Sequence, residues 1–291
     1  MNKQKTIDLN EQRIIMLMML KYVDSICREH GIKYSLIGGS LIGAVRHVGF
    51  IPWDDDLDII LTKNNYDKLM TLLDKETGRY QILRHGHGGE RFSFAKLVDT
   101  RTRLIEGGQK NTIQNYGIYI DIFCYYPTSN NKTERIKHCK RLKFLRSVFI
   151  RNKINLKGFS LKRNLCIIYK NSISYLLGYN KLNSVFATSV NKYINEDSEY
   201  CVSNWPTYAV EKEIQLKKNT EEYIDAKFEN LTVMIFKNYD EILKTTFGDY
   251  MQLPPESERI PKHNIKMWWR EGCEDEVKEL KARTERSKKN A

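Results

Sequence analysis

One stretch, Lys33 to Leu61, limits the folds open to this chain more than any other. Lys33–Ile37 reads as a short strand running into Gly38-Gly39-Ser40, a tight turn that opens a short helix over Leu41–His47. Gly49–Trp53 reads as a loop, because Pro52 and the residue before it disfavour helix. Asp54-Asp55-Asp56-Leu57-Asp58 then leads into Ile59-Ile60-Leu61, a strand entering a core. Side chains two apart on a strand share a face, so Asp56 and Asp58 can reach one cation. Hard carboxylate oxygens in that number suit Mg²⁺ or Mn²⁺, ions that also take oxygens from substrate phosphates. Backbone N–H groups of the Gly38-Gly39-Ser40 turn can approach a phosphate closely, with the helix dipole behind them.

A third acid completes the pattern. Asp121 stands alone in the apolar strand Tyr119-Ile120-Asp121-Ile122-Phe123, where a buried carboxylate needs a partner or a metal. It is the natural third ligand, or the base that takes a proton from an attacking hydroxyl. Each piece alone has a plainer meaning: Gly-Gly-Ser is usually a turn, and an aspartate run a solvated or calcium-binding loop. The calcium reading fails on spacing, since Ile59 and Asn65 stand where such a loop starting at Asp54 needs glycine and glutamate. Arg46 can hold a phosphate through two hydrogen bonds. His47 is a phosphate contact or a helix cap. Lys96, inside Phe94-Ala95-Lys96-Leu97, is a phosphate contact or an edge lysine reaching water. Trp53, Trp268 and Trp269 either pack or form a cage for a quaternary ammonium.

Elsewhere the apolar spacing predicts a helix over 11–30, capped by Asn10 and closed by Gly31, and another over Asn64–Lys75. Strands are expected at Tyr80–Leu83, Phe92–Val98 and Gly117–Tyr125, with a mainly helical pattern from Thr133 to about Ile194. The tail Glu274–Ala291 is charged all round, as a solvated helix or a disordered segment would be. The order describes an α/β (α+β) layer followed by a basic, mainly helical second half. The expected division is a catalytic core over 1–130 and a region over 131–291 that completes the site, or a single domain.

The net charge of +12 sits in one place. Lys132–Lys170 holds 13 basic residues against one acid, Glu134, and the rest of the chain balances at 35 of each sign. Such a block points to a polyanionic partner. Leu142, Leu145, Val148 and Phe149 fall at near-helical spacing among its lysines and arginines. That pattern fits either a helix on an anionic membrane or a core-packed helix with a solvated basic face. Ile14–Leu20 is too short to span a bilayer, and Met1–Asn10 lacks the layout of a signal peptide. Six scattered cysteines without CxxC spacing fit reduced thiols in the cytoplasm.

The stretch Tyr34–Leu61, YSLIGGSLIGAVRHVGFIPWDDDLDIIL, resembles the signature of the LicD family, relatives of fukutin within the polymerase-β-like nucleotidyltransferases. Phe247-Gly248-Asp249-Tyr250-Met251-Gln252-Leu253-Pro254-Pro255 and then His263 form a second match. The resemblance implies a nucleotidyltransferase-type mixed sheet flanked by helices and a divalent metal on the paired aspartates. It also implies transfer of phosphocholine or a similar group from a CDP-linked donor to a glycan acceptor. Gly39, Ser40, Arg46, His47, Asp54, Asp55, Asp56, Asp58 and Asp121 fall on the family pattern. Ser40 stands where threonine is commoner, and Cys124-Tyr125-Tyr126 precede Pro127 where proline usually follows at once, so choline specificity is not implied. Left open beside this reading are a metal-dependent glycosyltransferase using a nucleotide sugar, a nucleotidyltransferase with another acceptor, and a binding or scaffold protein on the same fold. Nucleic acid is a poor candidate partner, since the basic block holds no known binding motif. Lipid-linked glycans would place the protein in the cytoplasm, peripheral to the inner membrane face.

Overall fold

The computed structural model describes residues 5–89, 92–106, 116–150, 158–261, 263 and 265–273, so the tail beyond Cys273 lies outside the described residues. Helix α1 spans Leu9–Glu29. Its cap is Asp8 and not Asn10: the Asp8 carboxylate accepts from Glu11 N while Glu11 accepts from Asp8 N. This reciprocal pair was legible as Asp-x-x-Glu, and an N-cap of this kind is worth about 1 kcal/mol. Met16, Met19, Leu20, Val23 and Cys27 recur at helical spacing and bury one face of α1.

The chain continues through β1 (Ser35–Leu36), α2 (Gly38–Ile42), a π-helical turn (Gly43–His47), β2 (Asp58–Thr62) and α3 (Lys63–Leu73). Next come β3 (Tyr80–Leu83), β4 (Ala95–Asp99), β5 (Thr102–Glu106) and β6 (Tyr119–Thr128). Two long helices follow, α4 (Lys132–Phe149) and α5 (Leu161–Val190). The remainder is β7 (Tyr200–Ser203), α6 (Val210–Glu213), β8 (Ile214–Leu216), β9 (Tyr223–Phe228), β10 (Leu231–Phe236), α7 (Tyr239–Phe247) and β11 (Ile265–Trp269).

Among the described residues, seven strands form one mixed sheet in the order β1-β2-β6-β4-β3, with β7 and β8 continuing from β6. Strand β6 is its spine: β2 runs parallel along one edge, while β4 and then β7 pair antiparallel along the other. The sheet therefore crosses residue 130, because β7 returns to β6. A mainly helical second half holds only as far as Tyr193, since five strands follow. Their segments are short or two-sided, so they lack the alternation that marks a half-buried strand.

The largest core lies between α1 and the sheet, and a second joins Cys124 and Val202 to the inner faces of α4 and α5. Leu142, Leu145, Val148 and Phe149 are buried in that second core, which settles α4 as a core-packed helix with a solvated basic face. The two ends of the described chain meet. Ile7 N donates to Met267 O and Trp269 N to Lys5 O, while β11 pairs with β5. Among the described residues no helix is long and apolar enough to cross a membrane.

Candidate active site

Strands β1 and β2 are antiparallel, with Ser35 opposite Ile60, so the chain leaving β1 turns directly over the start of β2. Gly38 makes that turn at φ +60°, a conformation that L side chains rarely adopt. Ile37 N donates to Asp58 O at 3.2 Å, and Asp58 N donates to the Ser40 hydroxyl at 2.9 Å. The buried Ser40 hydroxyl thus positions Asp58. A side chain at Gly39 would collide with the Asp54 carboxylate, so the turn and the aspartate run are in close contact.

Asp58 and Asp121 are register partners on neighbouring parallel strands. Across the other edge Asp121 faces Lys96, whose Nζ donates to Asp121 Oδ1 at 2.6 Å. Lys96 is buried, with its ammonium 3.5 Å from the Tyr119 ring centroid and 4.9 Å from that of Phe94. It is a partner of the carboxylate cluster rather than an edge lysine reaching water. Asp54, Asp56, Asp58 and Asp121 each keep partial exposure.

The charges do not balance. Burial pushes the Asp58 carboxyl well above the usual carboxylate range, and Asp56, Asp121 and Asp54 push it further, with Lys96 the opposing charge. Burial likewise raises Asp121 to about 6, against the ion pair and hydrogen bond from Lys96. Clustered oxygen donors with surplus negative charge fit a divalent cation. Among the described residues, the acids whose ligand atoms all lie within 4.8 Å of one another are Asp54, Asp55 and Asp56. The sequence-derived set of Asp56, Asp58 and Asp121 does not meet that spacing. Asp55, however, is already engaged: it is buried, and its two oxygens accept from His263 Nδ1 at 2.9 Å and His263 N at 3.1 Å. That hydrogen bond raises His263 to about 9, favouring the imidazolium.

The remaining sequence candidates divide. Arg46 donates to the carbonyls of Tyr250 and Gln252, so its guanidinium fastens the C-terminal motif to the helix that follows the glycine turn. His47 accepts from Arg46 Nε at 3.0 Å and sits edge-on to Trp53. Trp269 is fully buried in the core and Trp268 lies in β11, while Arg259 covers Trp53, so these three do not line one cage.

A cavity of about 110 Å³ opens beside Gly38 and Asp58, lined also by Phe123, Trp205, Tyr208 and Glu213. Phe123 and Tyr125 reach it from β6, which continues through Pro127 to Thr128. Burial raises the Glu213 carboxyl above its ordinary value, against its backbone hydrogen bond from Tyr208 N. Trp205, Tyr208 and Glu213 had no signal in the sequence, whereas His263 was visible in the late motif without a derivable role.

The site unites a glycine turn, a carboxylate cluster on parallel strands and a neighbouring cavity, the equipment of a phosphate-handling transferase. Residues 31–162 match the family described as LicD/FKTN/FKRP, nucleotidyltransferase domain, which together with the following likeness supports a LicD-type phosphotransferase. It is similar to the lipopolysaccharide cholinephosphotransferase LicD of Haemophilus influenzae, 29% identical over 270 residues, covering 89% of this chain and 97% of that protein. The ribitol 5-phosphate transferase FKRP of Mus musculus is 28% identical over 120 residues, 39% of this chain and 21% of that protein. Its counterpart in Homo sapiens is 27% identical over 114 residues, again 21% of the relative's length.

Proposed function

We propose that the protein moves a phosphate-linked alcohol, phosphocholine or a polyol phosphate, from a CDP-activated donor to a hydroxyl of a cell-surface or lipid-linked glycan. The observation that carries this reading is the surplus of negative charge around Asp58, at the edge of a cavity and against a glycine turn. The names of the relatives support the transferred group, since a cholinephosphotransferase and a ribitol 5-phosphate transferase both move a phosphorylated alcohol.

Asp56, Asp58 and Asp121 would hold Mg²⁺ or Mn²⁺ by drawing together around it, since without an ion they stand wider apart than Asp54, Asp55 and Asp56, and Asp54 would add charge beside them. An ion held there would neutralise phosphate charge and help orient the donor. Asp55 is left out of that set because His263 holds both of its oxygens. Gly38 and Gly39 let the donor's phosphates come close to the backbone, and Ser40 keeps Asp58 in place through its amide. Lys96 fixes Asp121 and offsets part of the cluster's charge. The acceptor hydroxyl forms an O–P bond as the bond from phosphorus to the CMP oxygen breaks. The hydroxyl proton passes to a carboxylate oxygen of the cluster, and CMP leaves with the bonding pair. Positioning and charge neutralisation supply most of the catalysis in such displacements.

The test is nucleotide release by purified protein with Mg²⁺ and a glycan acceptor, across CDP-choline, other CDP-linked alcohols and UDP-sugars, beside Asp58→Ala. CMP from one CDP donor, lost in the variant, supports the reading and names the donor. UDP from a nucleotide sugar would overturn it in favour of a glycosyltransferase, and silence with every donor would overturn it in favour of a binding role.

A further inference from the structure

The basic segment and its apolar residues take on a different meaning once α4 is seen to bury its apolar face. The exposed apolar surface lies instead on the first half of α5. Leu161, Leu165, Ile168, Tyr169 and Leu176 follow i, i+4, i+7 spacing along one side, and Leu161 and Leu176 are 73% and 86% exposed. On the other side Asn164, Ile167 and Ser174 are buried, and Ile173 and Leu177 pack against the second core. This half of the helix is therefore apolar toward solvent as well as toward the fold. Gly178 ends it with φ 67° and ψ 165°, and beyond that break Leu182, Phe186 and Val190 turn inward against α4.

Along the chain, the charge in this region has a single sign. No aspartate or glutamate occurs between Glu134 and Glu196, and α5 itself carries none. Lys162 is exposed beside the apolar stripe, Arg163 is exposed with its guanidinium over the Phe159 ring, and Lys140 and Arg141 are exposed on α4. A stripe of leucine, isoleucine and tyrosine bordered by lysine and arginine, without acids, matches a bilayer surface with anionic headgroups. A second copy of the helix matches it poorly, because pairing would set basic residues against basic residues.

We infer that the first half of α5, from Leu161 to Leu177, docks on an anionic lipid bilayer, with Leu161, Leu165, Ile168, Tyr169 and Leu176 entering the headgroup boundary. This docking is independent of which group the site transfers. The approach of α4 to the cavity connects the two regions: Lys143 Nζ donates to Thr207 O, and Arg146 lies 5.0 Å from the Trp205 ring. Docking would thus hold the cavity close to a lipid surface.

The full-length protein is to be sedimented with vesicles of phosphatidylcholine plus phosphatidylglycerol, and with phosphatidylcholine alone, at physiological salt. The expected result is binding to the mixed vesicles only. Leu161→Ser/Leu165→Ser/Leu176→Ser should weaken binding by on the order of tenfold or more, and Lys162→Glu/Arg163→Glu by about fivefold per basic charge removed. Circular dichroism melting of each variant checks that the fold is kept. As an independent measurement, a fluorophore on exposed Cys166, in a Cys273→Ser background, should shift to the blue on adding mixed vesicles. No binding to mixed vesicles, or equal binding by the triple variant, would overturn the inference. Loss of a dimer in the triple variant, without vesicle binding by the parent, would assign the face to a second copy instead.

Discussion

Asp58 lies among Asp54, Asp56 and Asp121 with Lys96 the opposing charge, an arrangement with a measurable sign. Removing its charge should relieve repulsion in the metal-free protein, so Asp58→Asn should raise metal-free stability by roughly 1 kcal/mol. The same change should lower nucleotide release by on the order of 10²–10³. Adding Mg²⁺ should raise the melting temperature of the parent protein and leave the variant's unchanged. Equal Mg²⁺ shifts in both would remove Asp58 from the metal set. At this scale the acids were legible, because period-two spacing puts Asp56 and Asp58 on one face and an acid in an apolar strand has to be answered. The Asp55–His263 pair was not, since its partners stand 208 residues apart and leave no local spacing. Nor could Lys96 be assigned, because only the register of β4 against β6 sets it opposite Asp121.

Two glycines in the turn that carries the site separate function from stability. At Gly39 a new Cβ meets the end of the Asp54 side chain, which can swing aside. Gly39→Ala should therefore melt within about 1 kcal/mol of the parent, while donor turnover falls because Asp54 has moved. At Gly43 the obstacle is the backbone carbonyl of Gly49, which cannot swing, and Gly43→Ala should cost about 1–3 kcal/mol. Melting curves beside nucleotide release test both. A second element-scale effect is the tie among β6, α4 and α5 at His138, which is buried between the Thr128 hydroxyl and Ser189 O. Burial lowers its pKa below 6.5, against the hydrogen bond to Ser189 O. The folded state thus favours the neutral ring, and this stability is complete above the unfolded value and lost as pH falls through the folded one. Urea midpoints should therefore fall from pH 7.5 to pH 5 more steeply in the parent than in His138→Gln. Among elements, β3 was read to the residue and α1 to within two, because long amphipathic patterns and bounded apolar runs are distinctive. Strands β7 and β8 escaped, since pieces of three or four residues take their pairing from neighbours.

Residues from distant parts of the chain build one site. Gln12 of α1 donates to Asp55 O at 2.8 Å, Arg13 donates to Asp54 O at 2.7 Å, and His263 closes the same loop from the C-terminal side. Arg46 reaches the Tyr250 and Gln252 carbonyls, so it carries the coupling between the first motif and the second. Arg46→Met should destabilise by about 1–3 kcal/mol, and hydrogen exchange should rise over residues 248–255 more than over β2. Unchanged exchange there would show that the two motifs are held together by other contacts. The meeting of the chain's early and late segments also has a consequence for synthesis. Strand β11 and His263 are made long after Lys5, Ile7 and the aspartate loop, yet they brace them. A nascent chain therefore carries its acids long before it can fix their geometry, and a ribosome stalled before residue 263 leaves the aspartate loop without its C-terminal brace.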